Sequence, residues 1–466
     1  MSNFTLFTFK LYTFYTWLSN SFVDKSLRIV KLKILFLKID NLSKKIKKMT
    51  QNLLITNIEN LIQVRSTGID KLAGSQMSTL PILKNAFLYI EDDKISSYGT
   101  MDTLNPEIYN QSDYLSEIDA QGKSVFPSFC DSHTHLVYAG SREIEYVDKI
   151  KGLSYEEIAQ RGGGILNSSK LLNSVSEDEL YEQSLERIHE IITQGTGAVE
   201  IKSGYGLTLE GEMKMLRVVQ RLKETTPLII KSTFLAAHAL PSEYKGRQTE
   251  YVDYVVREIL PAVAAEKLAD FIDVFCDKGF FTLAETAKIL EAGHKFGLIP
   301  KIHANELALS GGVQIATKYN ALSADHLEYI EQAEIDAFLS SQTMPTVLPG
   351  AAFFLNLPFS PVRRMIDAGL PIAIASDFNP GSSPSGNMKL MMSLAMVNYR
   401  MTAQEVLNAA TINSAYAMGV SDRAGSITPG KIANIFITKN IPSLEFFPYA
   451  FGSDLIETVI LNGEIL

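Results

Sequence analysis

Two histidines one residue apart, His133 and His135, lie in the stretch FPSFCDSHTHLVYAGSR (residues 126–142) of a chain with only seven histidines. Side chains at i and i+2 of a β-strand leave the same face. If Ser124 to Cys130 is a strand, the two imidazoles emerge side by side at its C-terminal end. There they can share one metal ion or form a plain hydrogen-bonded pair. His238, His303 and His326 also end short apolar runs, so five of the seven histidines fall at predicted strand ends. His189 and His294 lie inside predicted helices, where surface or packing roles suffice.

Asp377 closes another apolar run, IAIASD, where an unpaired carboxylate is costly. It can cap the following loop. With His133, His135 and His303 it also makes a nitrogen and carboxylate set suited to one Zn2+ or iron ion. Such a site lowers the pKa of a bound water towards neutrality. Glu306, three residues beyond His303 in KIHANELALSGG, is either a carboxylate in the first turn of a helix or a proton carrier beside the metal. His326, in ALSADHLEY, can orient the water or stabilise an oxyanion. Its neighbour Asp325 should face the other way if the strand persists. Gly162 to Gly164 are followed by no GK[ST], so a turn or lid is a better reading than a phosphate loop. In KSGYGL, Lys202 could bridge two metals if carboxylated, but the Gly-Tyr-Gly that follows reads as a substrate loop and favours one metal.

Positioning such groups requires strands that all end on one side. Eight apolar runs are present: Val125–His135, GAVEIKS, LIIKSTFLAAH, FIDVFC, IPKIHA, ALSADH, MPTVLP and IAIASD. Amphipathic segments lie between them, among them SEDELYEQSLERIHEIITQG, EGEMKMLRVVQRLKE and TLAETAKILEAGHKFG. Several begin with Ser, Thr or acidic residues and end with Gly, as helix caps require. Eight βα units predict an α/β chain folded as a (β/α)8 TIM-like barrel, whose active site lies at the C-terminal strand ends. Strand-like segments before the barrel, such as NLLITNIENLIQV, and after it, such as AGSITPGKIANIFITK, predict a small β-sandwich domain built from both termini. The expected division is a basic extension over 1–48, the first part of the β domain over 49–128, the barrel over 129–420 and the rest of the β domain over 421–466.

Residues 1–48 hold ten basic and two acidic residues; the remainder holds 33 basic and 50 acidic. An acidic body argues against a nucleic-acid partner. The extension has no apolar stretch long enough to span a bilayer and no secretory-signal pattern. Its single arginine, Arg28, is too few for a mitochondrial presequence. Met49 opens a stretch that reads like a normal protein start, so the extension is expected to be dispensable. Cys130 and Cys276 form no CxxC motif or disulfide framework and read as buried thiols of a reducing, cytoplasmic compartment.

The ordered motifs DSHTHLVYAGSRE, GGGI, EIKSGYGL, TFLAAHALP, KIHANE, ALSADHLEY and SDFNPGSSP resemble the amidohydrolase superfamily and, within it, the imidazolonepropionase family. The resemblance runs from about Met49 to Leu466. It implies hydrolysis of 4-imidazolone-5-propanoate to N-formimidoyl-L-glutamate, the third step of histidine degradation. It further implies one Zn2+ or iron ion held by His133, His135, His303 and Asp377. Arg142 would hold the substrate propionate, Tyr205 and His238 would make further contacts, and Asn379, Gly381 and Ser382 would receive the glutamate-like end of the ligand. Glu306, His326 and Asp377 would be the catalytic groups, with Glu306 also touching substrate. Ser128 and Ser132 stand where Gly and Cys are common, and HANE replaces more acidic versions of that motif. A related chemistry, deamination of a heterocyclic ring, would use nearly the same ligands but release ammonia. A non-catalytic scaffold should lack a ligand, and none is missing. The partner implied is the small-molecule substrate, without nucleic acid or membrane; a homodimer is the assembly considered.

Overall fold

The computed structural model describes residues 52–110, 115–153 and 163–466; the extension and Gly162 lie outside the described residues. Residues Asn52–Leu466 form one compact unit. At its centre eight parallel strands follow one another: β1 (Phe129–Thr134), β2 (Thr196–Lys202), β3 (Ile229–Ala237), β4 (Phe271–Cys276), β5 (Ile302–Ala304), β6 (Ser323–His326), β7 (Met344–Val347) and β8 (Ala373–Ile374). A two-residue strand, Ile299–Pro300, runs into β5 and pairs with β4. Each of the eight apolar runs read from the sequence contains a barrel strand, and each neighbouring pair is parallel.

The barrel closes between its first and last strands. Asp377 N donates to His133 O at 3.0 Å, and His135 N donates to Phe378 O at 3.0 Å. The seam therefore runs through the residues that the sequence singled out.

The helices between strands start where their caps predict. Ser176 accepts from Glu179 N ahead of the helix Glu177–Thr193, and Thr208 accepts from Gly211 N ahead of Leu209–Thr225. Thr282 and Glu285 form a reciprocal capping box for Leu283–Lys295. Their apolar faces pack on the barrel: Leu180, Ile188 and Ile191 from the first, and Met215, Leu216 and Val219 from the second, are all buried. His189 and His294 are exposed on these helices.

The terminal segments build an eight-stranded sheet. Its order is Glu464–Ile465, Ile456–Leu461, Ile435–Thr438, Ser124–Pro127, Asn52–Ile62, Ile82–Glu91 and Lys94–Thr100, with Leu115–Asp119 also on Asn52–Ile62. Most pairs are antiparallel, but Asn52–Ile62 runs parallel to Leu115–Asp119 and Ser124–Pro127. Leu53, Ile55, Ile58, Leu88, Val125, Ile435 and Ile460 form its own apolar core. A bulge at Asn57, with φ 54°, brings Ile58 rather than residue 57 onto that face.

The expected strand Ser124–Cys130 is in fact two. Ser124–Pro127 belongs to the terminal sheet, and Phe129 begins β1. At the change-over Ser128 N donates to Asn434 O in the sheet, while Phe129 N donates to Gly195 O before β2. Phe126, Phe129, Phe436 and Phe447 stack across this junction with centroid separations of 5.1–6.2 Å.

Candidate active site

β1 and β8 end side by side at the barrel mouth. His133 and His135 leave β1, His303 leaves β5, and Asp377 follows β8, where it takes φ 54°. His135 Nε2 lies 3.4 Å from His303 Nε2. Asp377 Oδ1 is 3.5 Å from His133 Nε2 and 3.7 Å from His135 Nε2. All four side chains are buried. Burial, and then the neighbouring cations and imidazoles, hold His133 and His135 well below the usual histidine range, so both rings are neutral.

The Nδ1 atoms of His133 and His303 each have a carboxylate behind them, whereas His135 Nδ1 is buried without a hydrogen-bond partner. His133 Nδ1 lies 2.7 Å from Asp325 Oδ2, and His303 Nδ1 lies 3.0 Å from Asp273 Oδ2. A carboxylate can only accept, which keeps the His133 proton on Nδ1 and the Nε2 lone pair free. His133 Nε2 is buried without a hydrogen-bond partner. Asp377 Oδ2 accepts from Ser382 Oγ at 2.9 Å, which turns Oδ1 towards the histidines. Imidazole nitrogens and one carboxylate oxygen crowded this closely, one of the nitrogens unpartnered, are a donor set that a divalent or ferric cation satisfies. Within the described residues, the sets His133/His135/Asp377, His135/His238/His303 and His133/His303/His326 each have ligating atoms within 4.8 Å of one another.

Asp325 does not face away from the site, as strand alternation would require of a neighbour of His326. It points into the barrel onto His133, and His326 departs from strand geometry with φ 84°, followed by Leu327 at φ 70°. The turn of the backbone at the strand end brings both residues to the same cavity. His326 Nε2 is 3.7 Å from Glu306 Oε2 and its Nδ1 is 3.8 Å from Glu328 Oε1. Burial opposes a charge on His326, but Glu306 and Glu328 outweigh it and push the imidazole up to about 10. Burial raises the Glu306 carboxyl to about 8. Glu306 is not in a helical first turn: residues 305–308 are bends, and the next helix, Gly312–Lys318, starts six residues on.

His238, from the end of β3, stacks on His135 with centroids 4.9 Å apart and an interplanar angle of 12°. Its Nδ1 lies 3.2 Å from Gly204 O, and burial pushes it down to about 3. Tyr205 lies 5.9 Å from the His135 ring and 5.6 Å from that of His238. Asn379 builds the loop after β8: Nδ2 donates to Asp377 O and Ser382 Oγ, and Oδ1 accepts from Gly381 N and Ser382 N. Arg142 lies against this loop, so that a Cβ on Gly381 would stand 1.9 Å from Arg142 Nη1.

Beneath the site lies a charged layer that reading by motif missed. Lys202 Nζ is 2.6 Å from Glu200 Oε1, 2.9 Å from Asp273 Oδ2 and 3.5 Å from Asp325 Oδ2. Lys301 pairs with Glu200 Oε2 and donates to Ser132 O and Ala417 O at 3.0 and 3.1 Å. Burial disfavours the Lys202 ammonium, but Asp273, Glu200 and Asp325 more than offset this and raise its pKa. The signal was present: Glu200, Lys202, Asp273, Lys301 and Asp325 each interrupt an apolar strand, and charges buried there must be paired.

Residues 124–466 match the profile of the Amidohydrolase family. The chain is 55% identical to the imidazolonepropionase of Flavobacterium johnsoniae over 413 residues, 89% of this chain and 99% of the relative. It is 42% identical to that of Geobacillus kaustophilus, over 89% of this chain and 97% of the relative. The chain belongs to the imidazolonepropionases of the amidohydrolase family. The fold has solved counterparts: a triazine hydrolase variant superposes with TM-score 0.66 at 17% identity, over 89% of this chain and 94% of that one. An adenosine deaminase from Xanthomonas campestris with bound zinc gives 0.61 at 15%, over 89% and 92%. Family membership and the histidine clusters together imply a metal ion at the barrel mouth. Among the described residues no helix is long and apolar enough to cross a membrane.

Proposed function

We infer that the chain hydrolyses 4-imidazolone-5-propanoate to N-formimidoyl-L-glutamate, the third step of histidine degradation. The observation that carries this is the alignment with imidazolonepropionases along 99% of a relative's length. His133, His135 and Asp377, close together at the barrel mouth with His303 beside His135, agree with it.

His133, His135, His303 and Asp377 are the proposed ligands of one Zn2+ or iron ion per chain. When bound, that cation lowers the pKa of water and polarises a carbonyl. The chain's own residues do the rest. Arg142 holds the propionate through its planar fork, and His238 and Tyr205 flank the imidazolone ring. Asn379 fixes the loop that presents Gly381 and Ser382 to the glutamate-like end. Water adds its hydroxyl to the ring carbonyl carbon, the ring C–N bond breaks, and the proton released from water ends on the departing nitrogen. Glu306, buried and raised towards neutrality, is the proposed carrier of that proton and also touches substrate. His326, beside it, stabilises the oxyanion of the tetrahedral intermediate. Asp377 serves as both ligand and acid–base group.

The division at residues 48, 128 and 420, with a dispensable extension, is part of the same proposal, as are a homodimer and a cytoplasmic location. Two buried free cysteines support the last of these.

The deciding experiment incubates the purified chain with imidazolonepropionate. Loss of the substrate's ultraviolet absorption without release of ammonia is the expected result; stoichiometric ammonia would mean deamination.

A further inference from the structure

The guanidinium of Arg142 is not left to find its own orientation. Glu145 Oε2 lies 2.7 Å from Arg142 Nε and 2.6 Å from Nη2. Both side chains are largely buried, at 12% and 14% exposure, so this is no solvated surface pair. The same carboxylate is tied down on its far side. Gly164 N donates to Oε2 at 3.0 Å, and Asn167 Nδ2 donates to Oε1 at 3.2 Å. Gly164 has φ 82° and precedes the helix Ile165–Ser174 as its N-cap. Lacking a side chain, it cannot cap that helix itself, and no side-chain cap is present. Glu145 therefore brings a negative charge to a helix start that has no acidic residue in its own first turn.

The consequence is geometric. With Nε and Nη2 both directed at Glu145, the plane of the guanidinium is set. Nη1 is the edge turned to the loop after β8, so close to Gly381 that a Cβ there would displace it. An arginine with five donors in a rigid fork has one edge committed to Glu145 and another presented to that loop.

We propose that Glu145 is a positioning residue for substrate recognition: it aims Arg142 at the substrate's carboxylate and braces that aim on the Gly164–Asn167 segment. The proposal rests on the assignment of the propionate to Arg142, and the test separates the two.

Steady-state kinetics of the metal-loaded full chain are compared for wild type, Glu145→Ala, Glu145→Gln, Arg142→Ala and the Glu145→Ala/Arg142→Ala double variant. Each is assayed with imidazolonepropionate and with an imidazolone lacking the propionate arm. Glu145→Ala should raise KM for the full substrate about tenfold, as expected when a charge-assisted contact is misaimed, with kcat little changed. The arm-less substrate should not register the change. Glu145→Gln, which keeps an acceptor oxygen and the packing, should restore part of the loss. On the Arg142→Ala background, Glu145→Ala should add nothing. Equal losses on both backgrounds, or on both substrates, would show that Glu145 only supports the fold and would overturn the proposal. A fall in KM would overturn it differently, by showing that Glu145 competes for Arg142 rather than aiming it. If Arg142→Ala alone affects both substrates equally, the propionate assignment itself fails, and the proposal with it.

Discussion

Asp325 accepts from His133 Nδ1 at 2.7 Å and lies 3.5 Å from the Lys202 ammonium. Asp325→Asn keeps the shape but removes the charge that both neighbours use. Carboxylates behind a ligating histidine commonly contribute ten- to a hundredfold in metal affinity. The variant should therefore lose metal to a chelator at about ten to a hundred times lower concentration, as read by elemental analysis after dialysis; wild-type retention would leave Asp325 a purely structural role. Glu306→Gln tests the proton carrier. It should keep metal and substrate binding and lose about a hundred- to ten-thousandfold in kcat. Near-normal turnover would move that role to Asp377 or His326. At this scale the sequence was most legible where a residue's type and its place at a strand end coincide, as for the five histidines. It was least legible where the backbone departs from strand geometry. His326 at φ 84° is such a place, and simple alternation turned Asp325 away from the site it serves.

At the scale of elements, the loop after β8 depends on one glycine. A Cβ on Gly381 would meet Arg142 Nη1 at 1.9 Å and its Cζ at 2.6 Å. Gly381→Ala should displace the guanidinium and raise KM for imidazolonepropionate at least about tenfold, while thermal stability stays near wild type because an arginine tip can move aside. An unchanged KM would show that the pair is not in contact during turnover. All eight barrel strands could be read from apolar runs, since strands buried on both faces are continuous in hydrophobicity. The split at Ser128 could not. Ser124–Pro127 and Phe129–Thr134 form one extended apolar stretch in sequence, and only their different partners, Ile435–Thr438 on one side and Thr196–Lys202 on the other, divide it. The charged layer of Glu200, Lys202, Asp273, Lys301 and Asp325 was hidden for the same reason. Glu200 and Lys202 pair within one strand, but Asp273, Lys301 and Asp325 come from other apolar runs and join them only when the barrel closes.

For the whole molecule, two outcomes are expected. A chain lacking residues 1–48 should turn over substrate as the full chain does, because the relatives align to 89% of this chain and the described unit begins at Asn52. A folded but inactive truncation would assign the extension to the enzyme. Removing the metal should also lower the apparent Tm by several degrees, since a ligand bound only to the folded state contributes about 4 kcal/mol at a thousandfold excess over its Kd. An unchanged melting curve after verified metal loss would mean that the four proposed ligands are held in place without it.

The closure seam also dates the site within the life of the chain. His133 and Asp377 meet through a hydrogen bond between β1 and the segment after β8, yet 243 residues separate them. At roughly 5–20 residues per second, a ribosome that has released the first histidine pair needs roughly 12–50 s more before the aspartate exists. The proposed donor set is therefore complete only after most of the polypeptide has been made, and a chain stalled before residue 377 lacks its aspartate.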